Sequence, residues 1–252
     1  MNLRLFSDLH IEFDAFKASS EGADVIILAG DIDLGVRGND WIEKQGFDCP
    51  VVYVLGNHEY YKHRYPGLVN KIKDRAAGKD IHVLENESVD LDGVRFHGTT
   101  LWTNFELFGD PQLAGYQCQQ IMNDYHLIKK EPSYSKLRSI DVSRIHYKSI
   151  KWLSDSLKES KSSLNVVVTH HAPSLESVPE RYRSNIITAV YASDLTQFIE
   201  DHRPDYWMHG HLHHSSNYLI GDCRVLCNPK GYGKEENPGF DPLWSHELRT
   251  RS

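Results

Sequence analysis

Five short polar motifs, each at the end of an apolar run, constrain this chain more than any other feature. The apolar runs are typical of β-strands buried on both faces, as in a sheet that other layers cover. Because polar groups at the ends of such strands gather at one edge, we expect the motifs to form a single site. They are Asp8-Leu9-His10, Gly30-Asp31, Gly56-Asn57-His58-Glu59, Thr169-His170-His171 and Gly210-His211-Leu212-His213.

Together the motifs supply two carboxylates, one amide oxygen and at least four imidazoles, with no thiolate. Mixed oxygen and nitrogen ligands suit Mn, Fe, Zn, Co or Ni better than Ca. We therefore predict two divalent or trivalent metal ions, with manganese favoured. The predicted ligands are Asp8, His10, Asp31, Asn57, His170, His211 and His213.

Asp31 is the best candidate for a bridge between two ions, because a carboxylate has two oxygens and Gly30 permits the tight turn that brings it to the rim. Two divalent ions bring four positive charges, of which Asp8, Asp31 and a bridging hydroxide remove three. About one positive charge then remains, which favours an anionic phosphate ester. The motifs predict phosphoester hydrolysis by attack of a metal-bridging hydroxide.

His58 directly follows the candidate ligand Asn57, and neighbours on a turn cannot easily serve the same ion. We expect it to donate a proton to the departing oxygen, a contribution of roughly 10²–10⁴-fold. Asp31 and His58 are thus the predicted catalytic residues. Because nearby cations lower the pKa of His58, a carboxylate partner would help. Asp33 and Glu59 are both candidates, and the sequence does not choose between them.

Length and composition narrow the class of protein. The 252 residues favour one domain, residues 1–252, and a net charge of −7 shows no strongly basic face for nucleic acid. No apolar stretch reaches the ~20 residues that span a bilayer, and no signal peptide precedes the first motif. A soluble cytoplasmic protein is therefore expected, in which reduced, partly buried thiols are predicted at Cys49, Cys118, Cys223 and Cys227.

The pattern between the motifs predicts a mixed sheet sandwich with outer helices. Helices are expected at residues 65–77, 141–159 and 193–202, the second capped by Ser139 or Asp141 and the third by Ser193 or Asp194. Residues 94–97 and the pair 217–220 and 223–226 read as antiparallel strands, with a hairpin turn at Gly221-Asp222.

Residues 99–136 and 172–187 lack a regular pattern, and long irregular loops are often functional lids. The aromatic residues in these stretches could stack on a nucleotide base or pack within the protein, and packing is favoured. They are Trp102, Phe105, Tyr116, Tyr125 and Tyr182. The two arginines, Arg181 and Arg183, could contact a phosphate of the substrate or lie in solvent, and the solvent position is favoured. Three further histidines would overfill the site, so a supporting or structural role is expected for His171, His209 and His214.

The motif set resembles the calcineurin-like metallophosphoesterases, and the matching residues extend from position 8 to position 213. The resemblance implies a four-layer α/β/β/α sandwich with mixed β-sheets and a binuclear centre at the strand ends. It implies one metal at Asp8, His10 and His213, and a second metal at Asn57, His170 and His211. It also implies that Asp31 bridges the metals and that His58 is the proton donor. The tail, residues 227–242, either resembles that of small bacterial members or packs over the sheet.

The resemblance has limits. Related protein phosphatases carry Gly-Asp-x-Val-Asp-Arg-Gly, whereas this chain has Leu34 at the third position after Asp31, which argues against a protein substrate. The expected substrate is a small phosphodiester or phosphomonoester, with nucleotides among the candidates. The monoester or diester preference and the oligomeric state are not readable. The main alternative is a catalytically silent scaffold with this fold, although no ligand is degraded. Hydrolysis of amides or lactams is a third alternative, but those families usually begin with His-x-His.

Overall fold

The computed structural model describes residues 1–250. The predicted single domain, residues 1–252, includes two residues outside this description and stays a prediction. In chain order, the strands are β1 (Asn2–Phe6), β2 (Val25–Ala29), β3 (Val51–Val54), β4 (Arg64–Tyr65), β5 (Ile81–Val83), β6 (Glu87–Leu91), β7 (Val94–Thr99), β8 (Lys129–Lys130), β9 (Leu164–Thr169), β10 (Tyr206–His209), β11 (Ser216–Ile220), β12 (Cys223–Cys227) and β13 (His246–Glu247). The helices are α1 (Arg37–Gln45), α2 (Gly67–Ala76), α3 (Pro111–Ile121), α4 (Asp124–Leu127), α5 (Ser139–Glu159) and α6 (Thr196–His202).

Two mixed β-sheets form the centre of the described chain. In the first sheet the order is β13-β1-β2-β3-β5, and all strands but β13 are parallel. In the second the order is β11-β12-β10-β9-β7-β6, with antiparallel strands only at its two edges. Because the central strands of each sheet are parallel, their carboxyl ends lie at one edge, where the motifs follow.

The apolar runs fill both faces of the sheets. In β2, Val25 and Ile27 point between the sheets, whereas Ile26 and Leu28 pack on the helix side. In the second sheet, alternation likewise places Val167 of β9 against α5 and α6. Both faces of the central strands β1, β2, β3, β9 and β10 are therefore buried, which explains their lack of polar alternation. The predicted four-layer α/β/β/α sandwich with mixed sheets is confirmed.

The predicted helices exist, but their starts differ. Pro66 immediately precedes α2, because the chain before it pairs with β8 as β4. The α5 cap prediction was wrong, because Arg138 is the N-cap residue of α5. Asp141 lies three residues further on, in the first turn, and accepts a hydrogen bond from the Arg138 backbone N–H (3.1 Å). The α6 cap prediction was also wrong, because Leu195 is the N-cap residue, although Asp194 accepts a hydrogen bond from the Thr196 N–H (3.1 Å), where α6 begins.

The irregular stretch predicted for residues 99–136 was partly wrong, because α3 and α4 lie within it. Asp110 caps α3 by accepting a hydrogen bond from the Leu113 N–H (2.9 Å), and Pro111 occupies the first turn. Three large apolar side chains of α3 face solvent, which obscures its helical pattern: Leu113, Tyr116 and Ile121. The predicted hairpin of β11 and β12 is confirmed. Residues 94–97 belong to β7, which is antiparallel to β6 but parallel to β9.

Candidate metal centre

The five motifs meet where the two sheets present their carboxyl ends. Asp8, Asp31 and Asn57 follow β1, β2 and β3 of the first sheet, and His170 and His211 follow β9 and β10 of the second. Ligand atoms of Asp8, His10 and His213 lie within 4.8 Å of one another, as do those of Asp31, His170 and His211. The Asn57 side chain contacts His170 in the second group. The structure therefore brings all seven predicted ligands together.

The backbone at this site is left-handed at several non-glycine residues. The φ angle is 52° at Asp8, 47° at His10, 55° at Asp31, 73° at His211 and 45° at His213. This conformation costs roughly 1–2 kcal/mol for an L-residue and clusters at functional sites. In this conformation Asp8 and His10 can both direct their side chains towards the candidate ligands, and so can His211 and His213.

The first group is formed by Asp8, His10 and His213. His10 Nδ1 donates to Glu12 Oε1 (3.2 Å), so Nε2 carries the lone pair in the neutral ring and lies 3.1 Å from His213 Nε2. His213 Nε2 is 3.6 Å from Asp8 Oδ1. The backbone N–H of His211 donates to both Asp8 oxygens at 3.0 Å and fixes that carboxylate. Nitrogen and oxygen lone pairs thus converge.

The second group is centred on His170. Its Nδ1 donates to the Ala29 carbonyl (2.9 Å), so its Nε2 carries the lone pair in the neutral ring. That nitrogen lies 3.0 Å from Asn57 Oδ1 and 3.1 Å from His211 Nδ1. Acceptor atoms this close repel one another unless a proton or a cation lies between them, and this arrangement fits a metal ion.

Asp31 joins the two groups. Its Oδ2 lies 3.4 Å from His170 Nε2 and 3.8 Å from His10 Nε2. Its Oδ1 accepts a hydrogen bond from the His58 backbone N–H (2.8 Å). A carboxylate oxygen between two sets of ligand atoms is well placed to bridge two cations.

A proton can take the place of a cation on His170 when no ion is bound. Burial disfavours a charged imidazole, but the Asp31 carboxylate outweighs burial and raises the pKa of His170 to about 10. The same carboxylate is destabilised by burial, yet His170 and His58 hold its pKa well below the ordinary value. A metal ion would displace the His170 proton, so protons and metal compete for this nitrogen.

Motif glycines allow these side chains to approach so closely. Gly30 has a φ of 88°, and a Cβ there would overlap the His170 imidazole and the Gly56 backbone. A Cβ on Gly56 would overlap the Asp31 carboxylate. Gly30 and Gly56 therefore leave the space that His170 and Asp31 occupy.

Glu12 is the carboxylate partner of His58, and sequence reasoning missed it. Its Oε1 accepts from His58 Nδ1 (2.8 Å) as well as from His10. Burial opposes ionisation of Glu12, but the hydrogen bonds with the two imidazoles outweigh it and lower its pKa to about 2. Burial likewise opposes the charged form of His58, yet Asp31 and Glu12 raise its pKa to about 9.

The two carboxylates predicted as partners of His58 have other contacts. Asp33 pairs with Arg37 (2.6 Å), one turn along the chain. Glu59 is buried and accepts hydrogen bonds from four donors, which tie the turns after β2 and β3 together: Asp31 N (3.1 Å), Ile32 N (2.9 Å), Gly56 N (2.8 Å) and Tyr53 Oη (2.8 Å). The signal that was available for Glu12 is its position two residues after His10.

A cavity of about 990 Å³ opens over the candidate metal centre. Asp31, Asn57 and His58 lie at its base, together with His211 and His213. Its walls come from the α3–α4 junction, from residues 178–191 and from the tail at residues 232–239. Both stretches predicted to be irregular, residues 99–136 and 172–187, therefore contribute to the walls of this cavity.

The tail runs beside the metal centre. The N–H groups of Lys230 and Gly231 donate to the carbonyls of Ser7 (3.0 Å) and Asp8 (2.9 Å). The Tyr232 ring then lies 4.5 Å, between centroids, from that of His10. The tail thus packs along the end of β1, as one of the two interpretations held, and it also supplies a wall of the cavity.

The other polar and aromatic residues singled out from the sequence have mainly structural contacts. Packing is confirmed for Trp102, Phe105 and Tyr125, which are buried, whereas Tyr116 and Tyr182 are exposed. Arg183 is exposed, as expected, and it also donates to the carbonyls of Val178 (2.8 Å) and Glu176 (3.0 Å). Arg181 lines the cavity and lies over the Tyr182 ring. His171 donates to the Thr100 carbonyl and His209 contacts Ser177, as expected of supporting histidines.

Comparison with known proteins defines the class. The sequence model of the calcineurin-like phosphoesterases matches residues 1–215. The chain therefore belongs to the calcineurin-like phosphoesterase family, whose membership supports a metal-dependent phosphoesterase. The uncharacterized protein L509 of Acanthamoeba polyphaga mimivirus is 27% identical over an alignment of 272 residues in length. The alignment covers 95% of this chain and 94% of that protein.

Solved structures share the fold at low sequence identity. A phosphopantetheinyl hydrolase from Mycobacterium tuberculosis has a TM-score of 0.70 and 14% identity, covering 93% of this chain and 90% of that one. A dimetal phosphatase from Danio rerio has a TM-score of 0.54 and 12% identity, covering 90% and 86%. GAP50, the anchor in the inner membrane complex of Plasmodium, has a TM-score of 0.53 and 12% identity, covering 100% and 89%. Across residues 1–250, no helix combines the length and the apolar character needed to cross a membrane.

Proposed function

We propose that this chain is a binuclear metallophosphoesterase that hydrolyses a small phosphodiester or phosphomonoester. The observation that carries the proposal is the position of Asp31 Oδ2 between two groups of ligand atoms, 3.4 Å from His170 Nε2 and 3.8 Å from His10 Nε2. One ion would be held by Asp8, His10 and His213, and the other by Asn57, His170 and His211, with Asp31 between them. Manganese and action in the cytoplasm are part of the proposal.

Paired ions, when bound, supply a nucleophile derived from water at neutral pH and offset the negative charge of the phosphate. The protein's part is to hold these groups and to protonate the leaving group. Glu12 occupies His58 Nδ1, so Nε2 is the nitrogen that remains for proton transfer to the departing oxygen. The Asp31 carboxylate holds the His58 backbone at 2.8 Å, which places the proton donor beside the proposed bridge.

The cavity supports a substrate with a sizeable organic group. Its volume of about 990 Å³ lies at the upper end of the roughly 300–1,000 Å³ of small-molecule sites. Beyond the metal ligands it contains apolar and aromatic walls, including Met122, Ile187 and Tyr191. Its carboxylates, on Glu180, Glu235 and Glu236, outnumber the lysine and arginine side chains, on Arg181 and Lys234. This balance favours one phosphate with an uncharged organic group, such as a nucleoside, over a polyphosphate.

The scaffold alternative has one point in its favour, because GAP50 is named as an anchor and shares the fold. The complete set of seven convergent ligands favours the enzyme. The phosphopantetheinyl hydrolase and the dimetal phosphatase carry names that fit phosphoester hydrolysis, but they do not select a substrate. The net charge of −7 gives no support for a dedicated nucleic-acid surface.

A substrate panel on manganese-reconstituted protein tests the proposed function. It compares p-nitrophenyl phosphate, bis(p-nitrophenyl) phosphate and a 2′,3′-cyclic nucleotide. At least one of the three should be turned over, and a chelator should remove the activity until manganese is restored. The chelated protein is the matched control. Protein with two bound ions that turned over none of these esters would support the scaffold instead.

A further inference from the structure

Asp124 reaches the candidate metal centre from outside the five motifs. It lies in the short helix α4, and its side chain has no solvent exposure. Asp124 Oδ1 accepts two hydrogen bonds, from Asn57 Nδ2 (2.9 Å) and from Tyr61 Oη (2.8 Å). The same carboxylate oxygen therefore holds a candidate metal ligand and an aromatic residue of the cavity.

The contact with Asn57 decides which end of its amide faces the centre. The oxygen and nitrogen ends of an amide have nearly the same shape, but only the oxygen has lone pairs for a metal. With Nδ2 donating to Asp124, Oδ1 lies 3.0 Å from His170 Nε2. A flipped amide would place its oxygen against the Asp124 carboxylate, and the two acceptors would repel each other.

The contact with Tyr61 extends this effect to the proton donor. The Tyr61 ring lies against that of His58, with centroids 4.3 Å apart and an angle of 31° between the planes. Its hydroxyl is anchored by Asp124, so the ring cannot move away from His58 without losing that hydrogen bond. Asn57 and His58 are neighbours in sequence, and Asp124 restrains both of them.

The other oxygen of Asp124 shows that this arrangement is costly for the fold. Within residues 1–250, Asp124 Oδ2 is buried and has no hydrogen-bond partner. A buried carboxylate with an unsatisfied oxygen is destabilising unless positive charge lies nearby. Two bound cations would supply that charge, which connects Asp124 to the metal centre rather than to packing alone.

We propose that Asp124 is a positioning residue, which selects the ligating end of the Asn57 amide and, through Tyr61, fixes the His58 ring. This inference rests on the proposed function. Loss of Asp124 should then weaken one metal site selectively, because Asn57 belongs to only one of the two ligand groups.

The test is a manganese titration of the metal-free protein, followed by calorimetry and by electron paramagnetic resonance. In Asp124→Ala, the affinity for one ion should fall about 10–100-fold, the usual cost of losing a residue that supports a ligand. The other ion should bind as in the wild type. Asp124→Asn should recover part of the loss, because its amide oxygen can accept the same two hydrogen bonds.

Tyr125→Phe is the matched control, since Tyr125 is the next residue of α4 and its hydroxyl is buried with no partner in the described chain. It should leave both affinities and the thermal midpoint of the metal-free protein unchanged. Tyr61→Phe keeps the ring but removes its anchor, and it also removes the hydroxyl that accepts from Asn57 Nδ2 (3.2 Å). Because Asn57 Nδ2 keeps its shorter hydrogen bond to Asp124 (2.9 Å), kcat should fall while the two manganese affinities stay near the wild-type values.

Two results would overturn the inference: unchanged binding of both ions by Asp124→Ala, or an equal loss at both sites, as expected from general unfolding. A wild-type protein that bound fewer than two ions would instead contradict the proposed binuclear function. The two failures are therefore distinguishable in the same titration.

Discussion

Asp31→Asn is expected to abolish both the loading of two metal ions and turnover. Asp31 Oδ2 lies between the two ligand groups, at 3.4 Å from His170 Nε2 and 3.8 Å from His10 Nε2. An amide removes the negative charge that two adjacent cations require and offers only one oxygen. Turnover should fall by more than the roughly 10²–10³-fold that follows loss of a single electrostatic contact in an active site. Elemental analysis and a chromogenic phosphodiester measure the two effects.

Asp33→Asn is the matched control for this substitution. It makes the same chemical change two residues away, at a carboxylate that pairs with Arg37 rather than with the metal ligands. It should keep two ions and most of the turnover. Wild-type activity in Asp31→Asn would remove the proposed bridge from the account.

His58→Ala is expected to keep both ions and to lower kcat by roughly 10²–10⁴-fold, the contribution of a general acid. A general acid must be protonated, so activity should fall as pH rises through the pKa of His58. That pKa is raised to about 9 by Asp31 and Glu12, against the effect of burial, and bound cations lower it. The alkaline limb should therefore lie below about pH 9 and should be absent in His58→Ala.

The leaving group provides a sharper readout of the same role. A p-nitrophenolate departs with little help from a proton, whereas an alkoxide requires one. The defect of His58→Ala should accordingly be smaller for a p-nitrophenyl ester than for an alkyl ester of the same phosphate. Equal defects on the two substrates, or loss of metal, would show that His58 does not act as the proton donor.

Sequence reasoning found the seven candidate ligands because the topology of parallel strands is a strong constraint. Once the runs that become β1, β2, β3, β9 and β10 are recognised as parallel strands, their carboxyl ends are expected at one edge of a sheet, and the structure brings the two edges together. Gly30 and Gly56 reinforced the pattern, since a Cβ at either position would overlap a neighbouring site residue. What the pattern could not supply was the hydrogen bond of each ring, which decides the nitrogen that faces the centre.

The residues that hold the ligands were harder to predict. Glu12 is close to His10 in sequence, but nothing in its neighbourhood shows that His58 approaches it from 46 residues away. Asp124 is 67 residues from Asn57, in a stretch that was wrongly expected to be irregular. Such contacts depend on tertiary packing, and a lone Asp carries no signal of its partner. The supporting contacts of this site are therefore a product of the fold rather than of local motifs.

At α3 and α5 a side-chain hydrogen bond marks the start of the helix, whereas α1, α2, α4 and α6 begin without a capping side chain. Asp141 accepts a hydrogen bond from the Arg138 N–H in the first turn of α5, and Asp194 accepts one from the Thr196 N–H at the start of α6. The Asp110-Pro111 pair would have identified α3, whose apolar pattern is obscured by exposed side chains. At α3, the cap was thus more informative than the hydrophobic spacing.

A crystal grown with manganese, measured at a wavelength where the metal scatters anomalously, tests the central claim most directly. We expect two peaks roughly 3.5–4 Å apart, the usual spacing of paired ions in phosphoesterases. One peak should be bound by Asp8, His10 and His213, the other by Asn57, His170 and His211, and Asp31 should contact both. A single peak, or two peaks that do not share Asp31, would contradict the central claim.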